Sequence, residues 1–236
     1  MRSFTRLFNS RTLSALISIP LASAAISQSS PAPAAVVSRV DVAPFHTDPH
    51  TGLTFPLRDS SGYLLAGTAT RYKYGFAKVY AVALYVDKSA QKFTNGVAAL
   101  EAVCEGKLPA AMVMKLSRNV PSKDLAAALD ESIAPNVRAV AAEKSGGDAA
   151  TDLANLKELG PLFTAAVGDM LVIGTEVSFR WTGKSDLKVY VNCAQVAHFK
   201  NVPHLCKGFF TTYLSPTNPL VPAARAAYIS GVEAMK

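Results

Sequence analysis

The chain has 236 residues, half of them apolar, which is enough for a sizeable core and suits one folded domain with a tail better than two full domains. Its formal charge of +7 rests partly on Arg2, Arg6 and Arg11 at the N-terminus, while the other basic residues are scattered without interleaved aromatics, so a nucleic-acid-binding surface is excluded as the expected function. Cys104, Cys193 and Cys206 fit no zinc or thioredoxin spacing, and an odd count argues against a disulfide framework; they read as reduced, partly buried thiols.

Residues 1–40 contain no Asp or Glu, the first acid being Asp41, and are rich in Arg, Ser and Ala. This is the composition of a transit peptide and leads us to expect plastid or mitochondrial import. Arg2 and Arg6 lie one helical turn apart, with Phe4, Leu7 and Phe8 on another face. A secretory signal is the competing reading, because "LSALISIPLASAA" from Leu13 to Ala25 is a short apolar core followed by small residues. Both addresses stay open. "SQSSPAPAA" reads as a flexible linker, so the folded domain is expected over 41–236. Pro20 and its short length keep the apolar core from spanning a membrane, and no later segment is long and apolar enough, so a soluble mature protein is expected.

Residues 41–57 read as a loop with a short strand. In it, "HTDPH" places His46 and His50 around Asp48; with no further ligand nearby, a Pro-containing loop is favoured over a metal site. Residues 63–72 and 74–87, rich in β-branched and aromatic side chains, predict two long strands joined near Lys73. A helical pattern over 89–106 is followed by a strand over 110–117 and a helix over 122–144, with a break expected at Pro135. "EKSGGDAA" reads as a hinge, and another helical stretch runs through Leu153, Leu156 and Leu159 with an interruption near Pro161. From Thr175 to Trp181 apolar and polar residues alternate, which marks a strand with one wet face. "TGKSD" turns the chain, and 187–192 returns with Leu187, Val189 and Val191 inward. Helices over 201–213 and 223–235 close the chain.

Strands, then helices in blocks, then a hairpin and more helices make an α+β order: one large antiparallel sheet covered on one face by a layer of helices. The chain has no internal repeat and no phosphate-cradling glycine loop, so neither a nucleotide nor another cofactor is expected.

"TGLTFP", "LAGTATRYK", "AKVYAVALYVD", the hairpin of "VSFRW" and "LKVYVN", and "NVPHLCKGFFTTYLSP" together resemble the chalcone isomerase-like family, in order over about residues 45–235. The likeness is strongest to its non-catalytic fatty-acid-binding branch. It implies an open-faced β-sandwich with a ligand cleft between sheet and helices. In the family an arginine ending a Gly-x-Gly-x-Arg turn enters that cleft, and Arg71 of "GTATR" takes its place, although Ala69 replaces the second glycine. Tyr80 stands where the enzymes carry threonine and the fatty-acid binders carry tyrosine, and Tyr85 is the alternative ligand contact if the strand register shifts by one. On the late helix Thr211 corresponds to a family serine or threonine, with Thr212 as its near alternative. The enzymes' middle helix presents a tyrosine and, seven residues later, an asparagine; Pro121 and Ala128 occupy those places here.

The resemblance therefore implies a protein that binds a fatty acid or another small apolar carboxylate. The alternative is a chalcone–flavanone isomerase acting as an intramolecular lyase on a 2′-hydroxychalcone-like phenolic enone. A buried guanidinium is costly unless an anion meets it, and a carboxylate does so bidentately. Arg71 as a strand-end arginine paired with a local acid, or snorkelling to water, is the competing account. Val79, Val82, Leu84, Met112, Met114, Val177 and Phe179 are candidates to line an apolar channel, with plain core as the other reading.

Overall fold

Alternation of apolar and polar residues sets the sheet. The computed structural model describes residues 44–143 and 149–236. The expected targeting segment 1–40 and most of the "EKSGGDAA" hinge lie outside the described residues. The elements, in order, are β1 (Phe45–Thr47), β2 (Thr54–Pro56), β3 (Leu64–Lys73), β4 (Ala77–Val86), a 3₁₀ turn (Lys88–Lys92), α1 (Gly96–Cys104), β5 (Ala110–Leu116), β6 (Val120–Pro121) and α2 (Ser122–Glu143). They continue with α3 (Ala150–Lys157), α4 (Leu159–Val167), β7 (Met170–Leu171), β8 (Glu176–Trp181), β9 (Leu187–Val191), β10 (Ala194–Phe199), α5 (Pro203–Leu214) and α6 (Pro222–Ala234).

Six strands form one antiparallel sheet in the order β10-β9-β8-β5-β4-β3. Its inner face carries Tyr80, Val82, Leu84 and Val86 of β4 and, beyond them, Met112, Met114, Val177, Phe179, Val189 and Val191, all buried under the helices. The outer face is open, apart from the β1–β2 hairpin, whose Phe55 packs on Ala81, Ala83, Tyr85, Ala111 and Val113. This is the α+β arrangement expected. It also corrects the channel expectation: of the seven candidates, only Val79 borders open space, and the other six are fully buried core.

Two other expectations change. Pro135 lies inside an unbroken α2. Its ring points to solvent while Ile133, Ala134 and Val137 are buried on the packed side, and the α2–α5 contact offsets the roughly 3 kcal/mol that an interior proline costs. The edge strand β10 was not legible, because "AQVAHF" alternates poorly and its pairing with β9 is interrupted by a register shift between Gln195 and Ala197. Pro161, by contrast, falls in the first turn of α4, where its missing N–H is harmless, and the break expected there comes just before it, between α3 and α4.

Glycines let helices come down onto the sheet and onto each other. A Cβ on Gly231 of α6 would lie 1.5 Å from the Ala66 carbonyl oxygen of β3, and one on Gly208 of α5 would lie 2.8 Å from Val137 of α2. Thus α6 covers β3 from Ala66 to Gly67, where Gly67 faces the Ala227 backbone, and the end of β3 at Arg71 runs out toward the start of α6.

Candidate ligand cleft

At that uncovered end of the sheet lies a cavity of about 580 Å³ between β3, β4, the β5–β6 connection, the first turns of α2, and Leu220 ahead of α6. This is within the range of about 300–1,000 Å³ common for small-molecule sites. Its apolar wall consists of Val79, Val120, Pro121, Leu125, Leu129 and Leu220, and its polar groups include Arg71, Tyr80, Lys73 and Arg118. Lys73, Tyr74, Arg118 and Asn119 are exposed and form the mouth.

Arg71 is half-buried and faces Tyr80 across the β3–β4 ladder. Directly opposed residues share a face, so both side chains are on the helix side. Just beyond, Tyr72 pairs with Lys78, leaving Val79 as an extra residue in β4. That bulge explains why neighbours Val79 and Tyr80 both border the cavity. Ala69 keeps an ordinary strand backbone with its methyl in the core, so the absence of the second glycine imposes no backbone strain there. Among the described residues Arg71 has neither an ion-pair nor a hydrogen-bond partner. Asp124 and Glu131 also border the cavity, against three cations, leaving its wall with an excess of positive charge.

The Tyr80 hydroxyl lies 3.0 Å from that of Tyr213 on α5. Burial raises the pKa of both phenols; at Tyr80 the Tyr213 hydrogen bond and the Arg71 charge oppose this without cancelling it. Both are therefore neutral at physiological pH. Two O–H protons share one mutual bond, so when Tyr213 donates to Tyr80, the Tyr80 proton is left free for another acceptor. In the reverse arrangement the Tyr213 hydroxyl turns to Met114 Sδ, 4.0 Å away. Tyr213 is the residue that sequence reasoning missed, although it stands in the same "FFTTYLSP" run as the two threonines.

Arg71 and Tyr80 thus come together, and the other three candidates do not join them. Tyr85 points to the outer face of the sheet, where its hydroxyl donates to the Pro56 carbonyl at 2.8 Å. Thr212 donates to the Gly208 carbonyl at 2.8 Å and accepts from Asn136 Nδ2 at 2.9 Å, tying α5 to α2. Thr211 faces the Cys104 thiol, whose pKa burial pushes up to about 11 against the opposing Thr211 hydrogen bond. Pro121, in β6 just ahead of α2, and Ala128 on α2 both border the cavity, and neither brings a polar side-chain group. In "HTDPH", Asp48 is buried and caps the β1–β2 turn, and His46 Nε2 meets Thr68 Oγ1 at 3.0 Å.

Fold and site together define an α+β protein built on one large antiparallel sheet, with a ligand-sized cleft at the open end of that sheet. The chain belongs to the chalcone isomerase-like family, whose sequence profile matches residues 56–219. Among curated proteins none matches the chain. Among solved structures it is similar to the Arabidopsis thaliana fatty-acid binding protein AtFAP1, with 16% identity, a TM-score of 0.66, and coverage of 81% of this chain and 98% of that one. The two share the chalcone isomerase-like fold.

Proposed function

We infer that the protein binds a fatty acid or a similar apolar carboxylate, with the head group on Arg71 and the tail along the wall of Val79, Val120, Leu125, Leu129 and Leu220. The observation that carries this is Arg71, a half-buried permanent cation beside an apolar cavity with no anionic partner among the described residues. A guanidinium held this way gains most from a carboxylate that supplies two acceptors. Tyr80 adds a neutral donor beside it. The fatty-acid-binding character of the structural neighbour agrees with this reading.

The test is equilibrium binding of cis-parinaric acid to the full chain, compared with its methyl ester. Arg71→Gln weakens binding of the acid by about ten- to a hundred-fold, the equivalent of 1.5–3 kcal/mol for a charge-assisted hydrogen bond. The ester, which has no negative head group, binds wild type and variant alike. Equal binding of acid and ester to the wild type, or unfolding of the variant, makes Arg71 a structural cation and ends the carboxylate reading.

A further inference from the structure

The loops at the cavity end of the sheet carry an unusual surface. Eight large hydrophobic side chains are exposed among the described residues, and five of them belong to this end: Tyr74 (78% exposed), Phe76 (79%), Met170 (44%), Val172 (55%) and Ile173 (62%). Their shared location follows from the backbone. Tyr74 and Phe76 form the tip of the β3–β4 hairpin. The Ser117 N–H, next to the end of β5, donates to the Val79 carbonyl at 3.0 Å. The turn after β7 is tied to the same place, because the Gly174 N–H donates to the Leu116 carbonyl at 2.8 Å and the Ile173 N–H to Asn119 Oδ1 at 2.9 Å. Lys73, Arg118 and Lys123 lie among these tips, with Lys78, whose ammonium also donates to the His50 carbonyl; these four outnumber Asp124, Glu131 and Asp169 at the same end, where Glu176 is paired with Lys115. The Lys73 ammonium sits 5.2 Å from the Tyr74 ring centroid.

Scattered exposed apolar residues on a soluble domain need no explanation, but a cluster around a cavity mouth does. We propose that this rim seats the protein on a bilayer surface that carries anionic lipids, so that the cavity mouth faces the interfacial layer. Apolar and aromatic groups at separate turn tips, flanked by Lys and Arg, suit insertion between head groups, where aromatics rest at the interface and cations meet the negative surface. Such tips offer little to a partner protein, which needs a continuous complementary patch. Mouth and rim are contiguous, since Lys73, Tyr74, Arg118 and Asn119 belong to both. The proposal rests on the fatty-acid reading: an apolar ligand partitions into membranes, and a cavity that opens onto one exchanges it without crossing water.

The test is flotation of the full chain with phosphatidylcholine vesicles, with and without phosphatidylglycerol, for wild type and the Phe76→Ser/Ile173→Ser variant. Neither residue lines the cavity, and the N-terminal arginines are the same in both proteins. The wild type floats with the anionic vesicles, less so as salt is added, and the variant partitions at least about tenfold more weakly. In buffer without vesicles, both bind cis-parinaric acid within about twofold of each other. Rim-dependent flotation without any parinaric-acid binding removes the ligand reading and leaves the membrane contact standing. Equal flotation of both proteins, or none by the wild type, overturns the proposal. So does a wild-type dimer that the double substitution dissociates without any flotation, which makes the rim a contact between copies.

Discussion

At the residue scale, Asp48 shows how one carboxylate anchors the outer hairpin. Its Oδ1 accepts from the His50 and Thr51 N–H groups and from the Thr51 and Thr70 hydroxyls, the last two at 2.8 Å. Burial raises its pKa, but the hydrogen bonds from Thr51, Thr70 and Thr68 outweigh that and hold it below the usual aspartate value. A depressed folded-state pKa means stability that is fully present above the unfolded value and is lost as pH falls through the folded one, so Asp48 contributes to acid unfolding below about pH 4. Asp48→Ala lowers stability by about 1–3 kcal/mol in urea titrations and flattens that acid limb. The phenols of Tyr80, Tyr213 and Tyr228 act with the opposite sign. Burial raises their pKa values, so the folded state keeps protons that the unfolded chain releases, and stability falls as pH rises above about 10. Tyr80→Phe removes the bond to Tyr213 at a cost of about 1 kcal/mol, and urea titrations of the variant show a shallower alkaline decline, since one titrating phenol is gone.

At the element scale, α6 defines where the cavity ends. It lies on β3 because Gly231 and Gly67 let backbone approach backbone, and it begins only at Pro222, so β3 beyond Gly67 runs toward the cavity. Gly231→Ala puts a methyl group into the Ala66 carbonyl and costs about 3 kcal/mol or more by thermal or urea unfolding. Gly160→Ala on α4 is the contrast. Its Cβ meets nothing nearer than the Ala126 Cβ at 3.5 Å, and the gain in helix propensity stabilises by a few tenths to about 1 kcal/mol. The same measurement on both variants separates close packing from mere glycine content.

For the whole molecule, the cleft wall bears on chemistry. A ring-closing isomerase needs groups to hold a ketone and steady a developing oxyanion, and at the two positions that the family resemblance assigns to them this cavity has Pro121, just ahead of α2, and Ala128 on α2. The expected outcome is turnover of a 2′-hydroxychalcone no faster than its spontaneous cyclisation, followed by loss of the chalcone absorbance; stereoselective turnover well above that rate restores the isomerase reading. The absence of acids over residues 1–40 leads to a second expectation, that a fluorescent fusion of residues 1–45 enters a plastid or mitochondrion. A diffuse or secreted fusion refutes it.

Strand periodicity was legible because it is local: alternation in "EVSFRW" and "LKVYV" determines which face is buried, whatever covers it. The α+β order followed from the sequence of such segments, and the quoted motifs carried the family. Arg71 and Tyr80 were singled out by the family resemblance, with Tyr85 left open as the alternative, and it is the β3–β4 register that sets the two opposite each other. What the sequence left open was every contact made across layers. Tyr213 reaches Tyr80 from 133 residues away. Met112, Met114 and Phe179 became solid core instead of channel wall because α5 closes on that part of the sheet, with Phe209 against Phe179 and the Tyr213 hydroxyl at Met114 Sδ, and helix packing has no local signature. Threonines one residue apart on α5 serve different neighbours, Cys104 and Asn136, because helical rotation turns them to different sides. Burial pattern is written along the chain; the location of the uncovered gap depends on where α6 stops, and only the folded molecule decides that.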